Sequence, residues 1–262
     1  MGIVIAALVV GVTGLILGLA LVAAGQKFHV ETDPREAAVR ERLPGNNCGA
    51  CGYAGCDAVA AAIAKGEAPA NACPVCSAEA AAGIAAVMGV EAGAANRRTA
   101  FVRCGGDCGK TAPAGHYIGV NDCRSAALSG VPVWACSYGC LGYGSCVSAC
   151  DHDAIHVADG VAVVDKEKCV GCGLCVSACP KGLIELVPQG KRAAVRCSSS
   201  EKGAAIRKLC SAGCIGCGIC AKQCPEGAVT VEGNLARVDY GKCTGCGSCV
   251  EKCPVKVISI RQ

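Results

Sequence analysis

Cysteine spacing carries most of the chemistry in this sequence. Near the C-terminus, Cys243-x2-Cys246-x2-Cys249-x3-Cys253-Pro254 follows Cys214-x2-Cys217-x2-Cys220-x3-Cys224-Pro225. Three cysteines spaced three apart wrap a loop round one corner of an iron–sulfur cubane, and the fourth, before proline, reaches the neighbouring cluster. By that rule one [4Fe–4S] cluster takes Cys214, Cys217, Cys220 and Cys253, and another takes Cys243, Cys246, Cys249 and Cys224. Zinc sites favour CxxC pairs over complete four-cysteine runs of this kind.

The same pattern occurs 74 residues earlier. Cys169, Cys172 and Cys175, with Cys150, form a third set. A fourth has only Cys140, Cys146 and Cys179, because Tyr143 stands where the repeat has Cys217. Cys136, four residues before Cys140, is the expected missing ligand, although its counterpart Cys210 sits beside a complete set. A three-ligand [3Fe–4S] site is the alternative. Between the runs, residues 154–165 and 228–239 each read as a β-hairpin round a glycine-containing turn.

Upstream, Cys48-x2-Cys51-x4-Cys56-x16-Cys73 supplies four more ligands, with an alanine-rich helix expected after Cys56 to bring the chain back to Cys73. Cys76 lies outside that set, as a spare thiol or a competitor of Cys73. Five clusters use twenty of the 26 cysteines. Cys104, Cys108, Cys123, Cys197 and Cys210 also remain, and Val-Arg-Cys recurs at 102–104 and 195–197. A sixth cluster drawing on some of these five thiols stands against the plainer reading of buried structural cysteines.

These sites need a scaffold, and the composition offers a thin one. Aromatic residues are only 3%, so something beyond an apolar core must help hold the fold together, and bound clusters can do so because their binding free energy acts as folding free energy. The expected fold class is α+β: an N-terminal transmembrane helix (1–26), a small helical 4Fe–4S domain (27–95), a connecting segment (96–130), and two tandem bacterial-type 2[4Fe–4S] ferredoxin modules (131–187 and 188–262). Residues 3–24 carry no charge. As a helix they span ~33 Å, enough for the hydrocarbon core of a bilayer. Lys27, Arg35, Arg40 and Arg42 follow, placing the remainder on the cytoplasmic side of the inner membrane, where thiols stay reduced. Gly14 and Gly18 form a GxxxG pair suited to close helix approach.

No nucleotide-binding glycine motif, P-loop or nucleophile–base arrangement is present, and a net charge of +4 without basic–aromatic interleaving gives no reason to expect nucleic acid. His29, His116, His152 and His156 show no ligand spacing. Residues 181–262 hold 13 Lys or Arg against 6 Asp or Glu, a surplus suited to steering an acidic partner.

The anchor, PGNNCGACGYAGC at 44–56 and GCIGCGICAKQCP at 213–225 together resemble the B component of the Rnf electron-transport complex, an ion-translocating ferredoxin:NAD oxidoreductase, over essentially the whole chain. The resemblance implies a translocase component with no complete active site of its own. It would collect electrons from soluble reduced ferredoxin and pass them to membrane and flavin-bearing subunits. A polyferredoxin, or a cluster-stabilised anchor of another membrane redox complex, is the alternative.

Overall fold

The computed structural model of the protein describes residues 2–27, 33–91, 93 and 97–261; His29 lies outside them. Helix α1 covers Gly2–Lys27, and its described side chains, including Leu8, Leu15 and Leu21, are exposed. Among the described residues no helix is long and apolar enough to cross a membrane, so the span expected over residues 3–24 is not shown by the structure.

Three helices form the N-terminal cluster domain. Asp33 caps α2 (Pro34–Arg42) by accepting the Arg35 N–H, and Pro34 pre-sets the first turn. Helix α3 (Cys56–Ala64) runs from Cys56 as its alanine content predicts. Helix α4 (Ala78–Met88) is capped by Ser77 and stopped by Gly89 in the left-handed conformation. Val39, Val59, Ile63 and Ile84 are the large side chains buried between them, and small alanines let the helices approach closely.

The rest is two copies of one unit. In the first, β1 (Arg98–Val102) pairs antiparallel with β4 (Ile184–Pro188), enclosing the hairpin β2 (Ile155–Ala158) and β3 (Val161–Val164). In the second, β5 (Arg192–Val195) pairs with β8 (Ile258–Arg261), enclosing β6 (Val229–Glu232) and β7 (Leu235–Val238). Both hairpins fall within the stretches anticipated from the repeat. Strand β1, however, lies in what reads as connecting sequence, yet its partner is the last strand of the first ferredoxin unit.

Cysteines make up much of each unit's buried interior. Cys214, Cys220, Cys243, Cys249 and Cys253 pack among Val229, Leu235 and Ile258 in the second unit. The two units meet at Phe101, Val187, Ala194 and Tyr240. Arg261, almost wholly buried, crosses this contact and donates to Thr99 Oγ1 at 2.7 Å and to the Ala100 carbonyl at 3.1 Å.

Candidate metal centres

Each cysteine loop is shaped by glycine. Gly216 and Gly218 flank Cys217 with φ of +65° and +74°, and the chain then turns into a short helix, Ile219–Lys222, that carries Cys220. A Cβ at Gly216 would fall 2.8 Å from the Asn234 carbonyl, so only glycine lets the loop lie against the hairpin. Backbone N–H groups point at the sulfurs. Ala100 donates to Cys169 Sγ at 3.3 Å, Ala193 to Cys243 Sγ at 3.4 Å, and Ala228 to Cys224 Sγ at 3.3 Å. N–H donors of this kind suit sulfurs that ligate an iron–sulfur cluster.

Three cavities of similar size separate the cysteine sets. One of about 350 Å³ is lined by Cys150, Cys169, Cys172 and Cys175, and one of about 320 Å³ by Cys214, Cys217, Cys220 and Cys253. Both are groupings that the exchanged-ligand rule gives. Cys243, Cys224 and Cys246 are electrostatic neighbours of Cys249, so the last set also gathers in one place. The third cavity, about 350 Å³, is lined by Cys140, Cys146 and Cys179, and its fourth cysteine is Cys123. Cys136, expected there from sequence, lines a different cavity.

An insertion explains the difference. Cys197 and Cys210 are 13 residues apart, whereas Cys104 and Cys136 are 32 apart, so the first unit carries 19 extra residues at this point (32 less 13). Helix α5 (Cys123–Leu128) within it is capped by Asp122. Ser145, at the start of the helical turn bearing Cys146, accepts the Cys123 N–H at 2.8 Å and donates to Asp122 Oδ1 at 2.5 Å. This clamp sets Cys123 beside Cys146. The Ser145 hydroxyl, above all, draws the Asp122 carboxyl below its ordinary pKa. Tyr143 keeps the loop geometry, between Gly142 at φ +81° and Gly144 at φ +76°, and its ring packs edge-on against Tyr117 of the insertion at 5.5 Å. The Val-Arg-Cys recurrence was the available sequence signal: it aligns Cys197 with Cys104, not with Cys123.

In the N-terminal domain Cys73 lies close to Cys51 and Cys56, and Cys51, Cys73 and Cys76 share a broad open cleft with Arg97 and Arg98. Cys48 is an electrostatic neighbour of Cys172, and Asn46 contacts His152 Nε2 at 3.3 Å, so this domain sits against the first ferredoxin unit. His152 also lines the Cys150–Cys175 cavity, a placement that spacing alone does not disclose. His116 and His156 are exposed.

Burial pushes the Cys146 and Cys175 thiols up to about 12 and Cys220 up to about 11, with neighbouring sulfurs adding to the effect. Buried thiols crowded in this way stay protonated at neutral pH unless a cation draws the protons off. Among the described residues no group of three or more His, Cys, Asp or Glu converges tightly enough for a single metal ion. Four-sulfur linings round cavities of this size, backed by N–H donors, fit polynuclear iron–sulfur clusters instead.

Comparison with known proteins agrees. Residues 43–75 match an Fe-S cluster family, and 137–186, 168–229 and 213–257 each match 4Fe-4S dicluster domain families. The chain carries multiple [4Fe–4S] clusters. It is 46% identical over 236 residues to the B component of the Na(+)-translocating ferredoxin:NAD(+) oxidoreductase complex of Acetobacterium woodii, covering 89% of this chain and 71% of that one. It is 45% identical to the proton-translocating counterpart of Clostridium ljungdahlii (88% and 82% covered). The B component of the ion-translocating oxidoreductase complex of Methanosarcina acetivorans is 40% identical, with 95% and 94% covered.

Proposed function

The chain belongs to the family of B components of ion-translocating ferredoxin:NAD(+) oxidoreductase complexes, and on that premise we propose that it is the membrane-anchored member that accepts electrons from reduced cytoplasmic ferredoxin. Partner membrane and flavin subunits receive them. Each cluster is a one-electron carrier. The ligand sets are Cys48, Cys51, Cys56 and Cys73; Cys150, Cys169, Cys172 and Cys175; Cys123, Cys140, Cys146 and Cys179; Cys214, Cys217, Cys220 and Cys253; and Cys224, Cys243, Cys246 and Cys249. The observation that carries the reading is the gathering of cysteines into separate sets, with Cys48 of the first adjoining Cys172 of the second.

Helix α1 is the anchor in this reading. Its run from Ile3 to Ala24 is uncharged, and the exposed leucines and valines along it would be unfavourable in water. Space is open beside Gly14 and Gly18, where a partner helix can approach.

The second ferredoxin unit is the docking end. Cys217 and Cys246 are its exposed cysteines, and Lys208, Lys222 and Lys252 lie nearby in the sequence of a segment with surplus positive charge. Attraction to an acidic ferredoxin raises the association rate and is screened by salt. Stopped-flow mixing of the purified complex with reduced ferredoxin should show a second-order rate that falls roughly tenfold or more between low and about 0.5 M salt. A flat salt dependence would remove the docking assignment, and absence of reduction would remove the proposed role.

A further inference from the structure

Four cysteines outside the five sets surround one more cavity. It measures about 380 Å³, close to those of the ferredoxin sites, and Cys104, Cys136, Cys197 and Cys210 line it together. We propose that these four thiolates hold a sixth [4Fe–4S] cluster, which joins the two ferredoxin units.

The site has internal symmetry. Cys104 and Cys197 each lie two residues beyond the equivalent strands β1 and β5, in the same Val-Arg-Cys sequence, and Cys136 and Cys210 each stand four residues before the first cysteine of a ferredoxin run. Each unit thus contributes one pair. The arrangement around them repeats as well. The Cys140 N–H donates to Cys104 Sγ at 3.5 Å, and the equivalent Cys214 N–H donates to Cys197 Sγ at 3.3 Å. Ser199 adds a second donor to Cys197 Sγ at 3.4 Å. At Gly106 a Cβ would come within 2.9 Å of Cys210 Sγ, so the lining there is stripped to backbone.

Two further observations point to an anionic, sulfur-rich occupant. Arg103 and Arg196, equivalent residues, both line the cavity and offset the negative charge of a cluster with four thiolates. Trp134 lines it too, and its buried indole N–H meets no acceptor among the described residues. Cluster sulfide or thiolate would be an acceptor of the required kind. Placement gives the site its use. Cys140 belongs to the Cys123 set and Cys214 to the Cys217 set, so one backbone hydrogen bond on each side separates this site from a ligand of its neighbour. Electron passage between the two units would otherwise lack a carrier at their junction.

The test is a count of iron and acid-labile sulfide in the full-length chain, purified anaerobically away from its partner subunits, alongside its Mössbauer spectrum. Six clusters give about 24 iron atoms per chain, against about 20 for five. Replacing Cys197 with Ala should lower the count by up to about four and remove one cubane's share of the spectrum. Cys108→Ala, an exposed thiol outside every set, should leave both unchanged. A wild-type count of about 20, or one zinc per chain bound at these cysteines, overturns the proposal, and the wild-type count decides even if a variant fails to accumulate. The outcome is independent of whether ferredoxin is the donor, which the kinetic test addresses.

Discussion

Replacing Cys123 with Ala isolates one thiol. The helix cap on Asp122 and the 2.8 Å bond from the residue-123 N–H to Ser145 do not use the sulfur, so the insertion should stay docked. What remains at the cavity is Cys140, Cys146 and Cys179. Three thiolates support at most a [3Fe–4S] core, so iron should fall by about one atom per chain if the core survives and by about four if it does not. EPR of the oxidised protein distinguishes the two, because only the three-iron core is paramagnetic in that state. The repeat then supplies a rescue. Tyr143 lies between Gly142 and Gly144 in the same left-handed geometry as Cys217 between Gly216 and Gly218. In the Cys123→Ala background, Tyr143→Cys should therefore restore the four-iron site. The rescue sacrifices the Tyr117 contact, worth only about 0.5–1.5 kcal/mol. The same second change should not rescue Cys136→Ala, whose thiol lines a different cavity. Full iron in Cys123→Ala, or rescue of Cys136→Ala by Tyr143→Cys, would refute the assignment.

Other consequences concern the junction between the ferredoxin units. Arg261→Met removes hydrogen bonds to Thr99 and Ala100 and a guanidinium 5.1 Å from the centre of the Phe101 ring; it should weaken the contact by about 2–3 kcal/mol, seen as faster cluster bleaching in guanidinium chloride. An unchanged bleaching rate would show the contact to be unimportant. Burial, and then the Glu185 hydrogen bond at 2.5 Å, hold the Tyr240 phenol above its ordinary pKa. The unfolded phenol ionises from about pH 10 while the folded one does not, so stability present below that pH is lost above it. Tyr240→Phe should flatten the alkaline loss measured by bleaching rates above about pH 10; an equally steep loss would exclude this phenol as its source.

The ferredoxin runs are legible because iron–sulfur ligation fixes both residue type and spacing, as Cys214 to Cys224 and Cys243 to Cys253 illustrate. The hairpins are equally legible, through alternating residues round a glycine turn. Cys123 is harder to place. A uniform offset of 74 pairs it with Cys197 and conceals that the first unit carries extra chain. The Val-Arg-Cys recurrence aligns Cys104 with Cys197 instead, and the pairing of β1 with β4, matched by β5 with β8, bears that alignment out. The clamp by Ser145 and Asp122 is a contact between residues 23 apart, with no periodic signature to announce it.

The junction also bears on why a chain with so few large apolar residues holds two units together. Its apolar contact consists of Phe101, Val187 and Ala194, with Tyr240 partly buried against them. Arg261 is buried there with two of its nitrogens, Nε and Nη1, meeting no acceptor among the described residues, which costs free energy that the other contacts must offset. Hydrogen bonds from the Thr111 hydroxyl to the Leu209 carbonyl and from the Ser198 hydroxyl to the Arg103 carbonyl also cross between the units. Four metal–thiolate bonds, two from each side, would change that balance, because cluster binding then contributes directly to docking as well as to folding. On this reasoning, the two Val-Arg-Cys segments serve two ends: their strands pair with the last strand of each ferredoxin unit, and they lead into the cysteines whose sulfurs would cross-link the units.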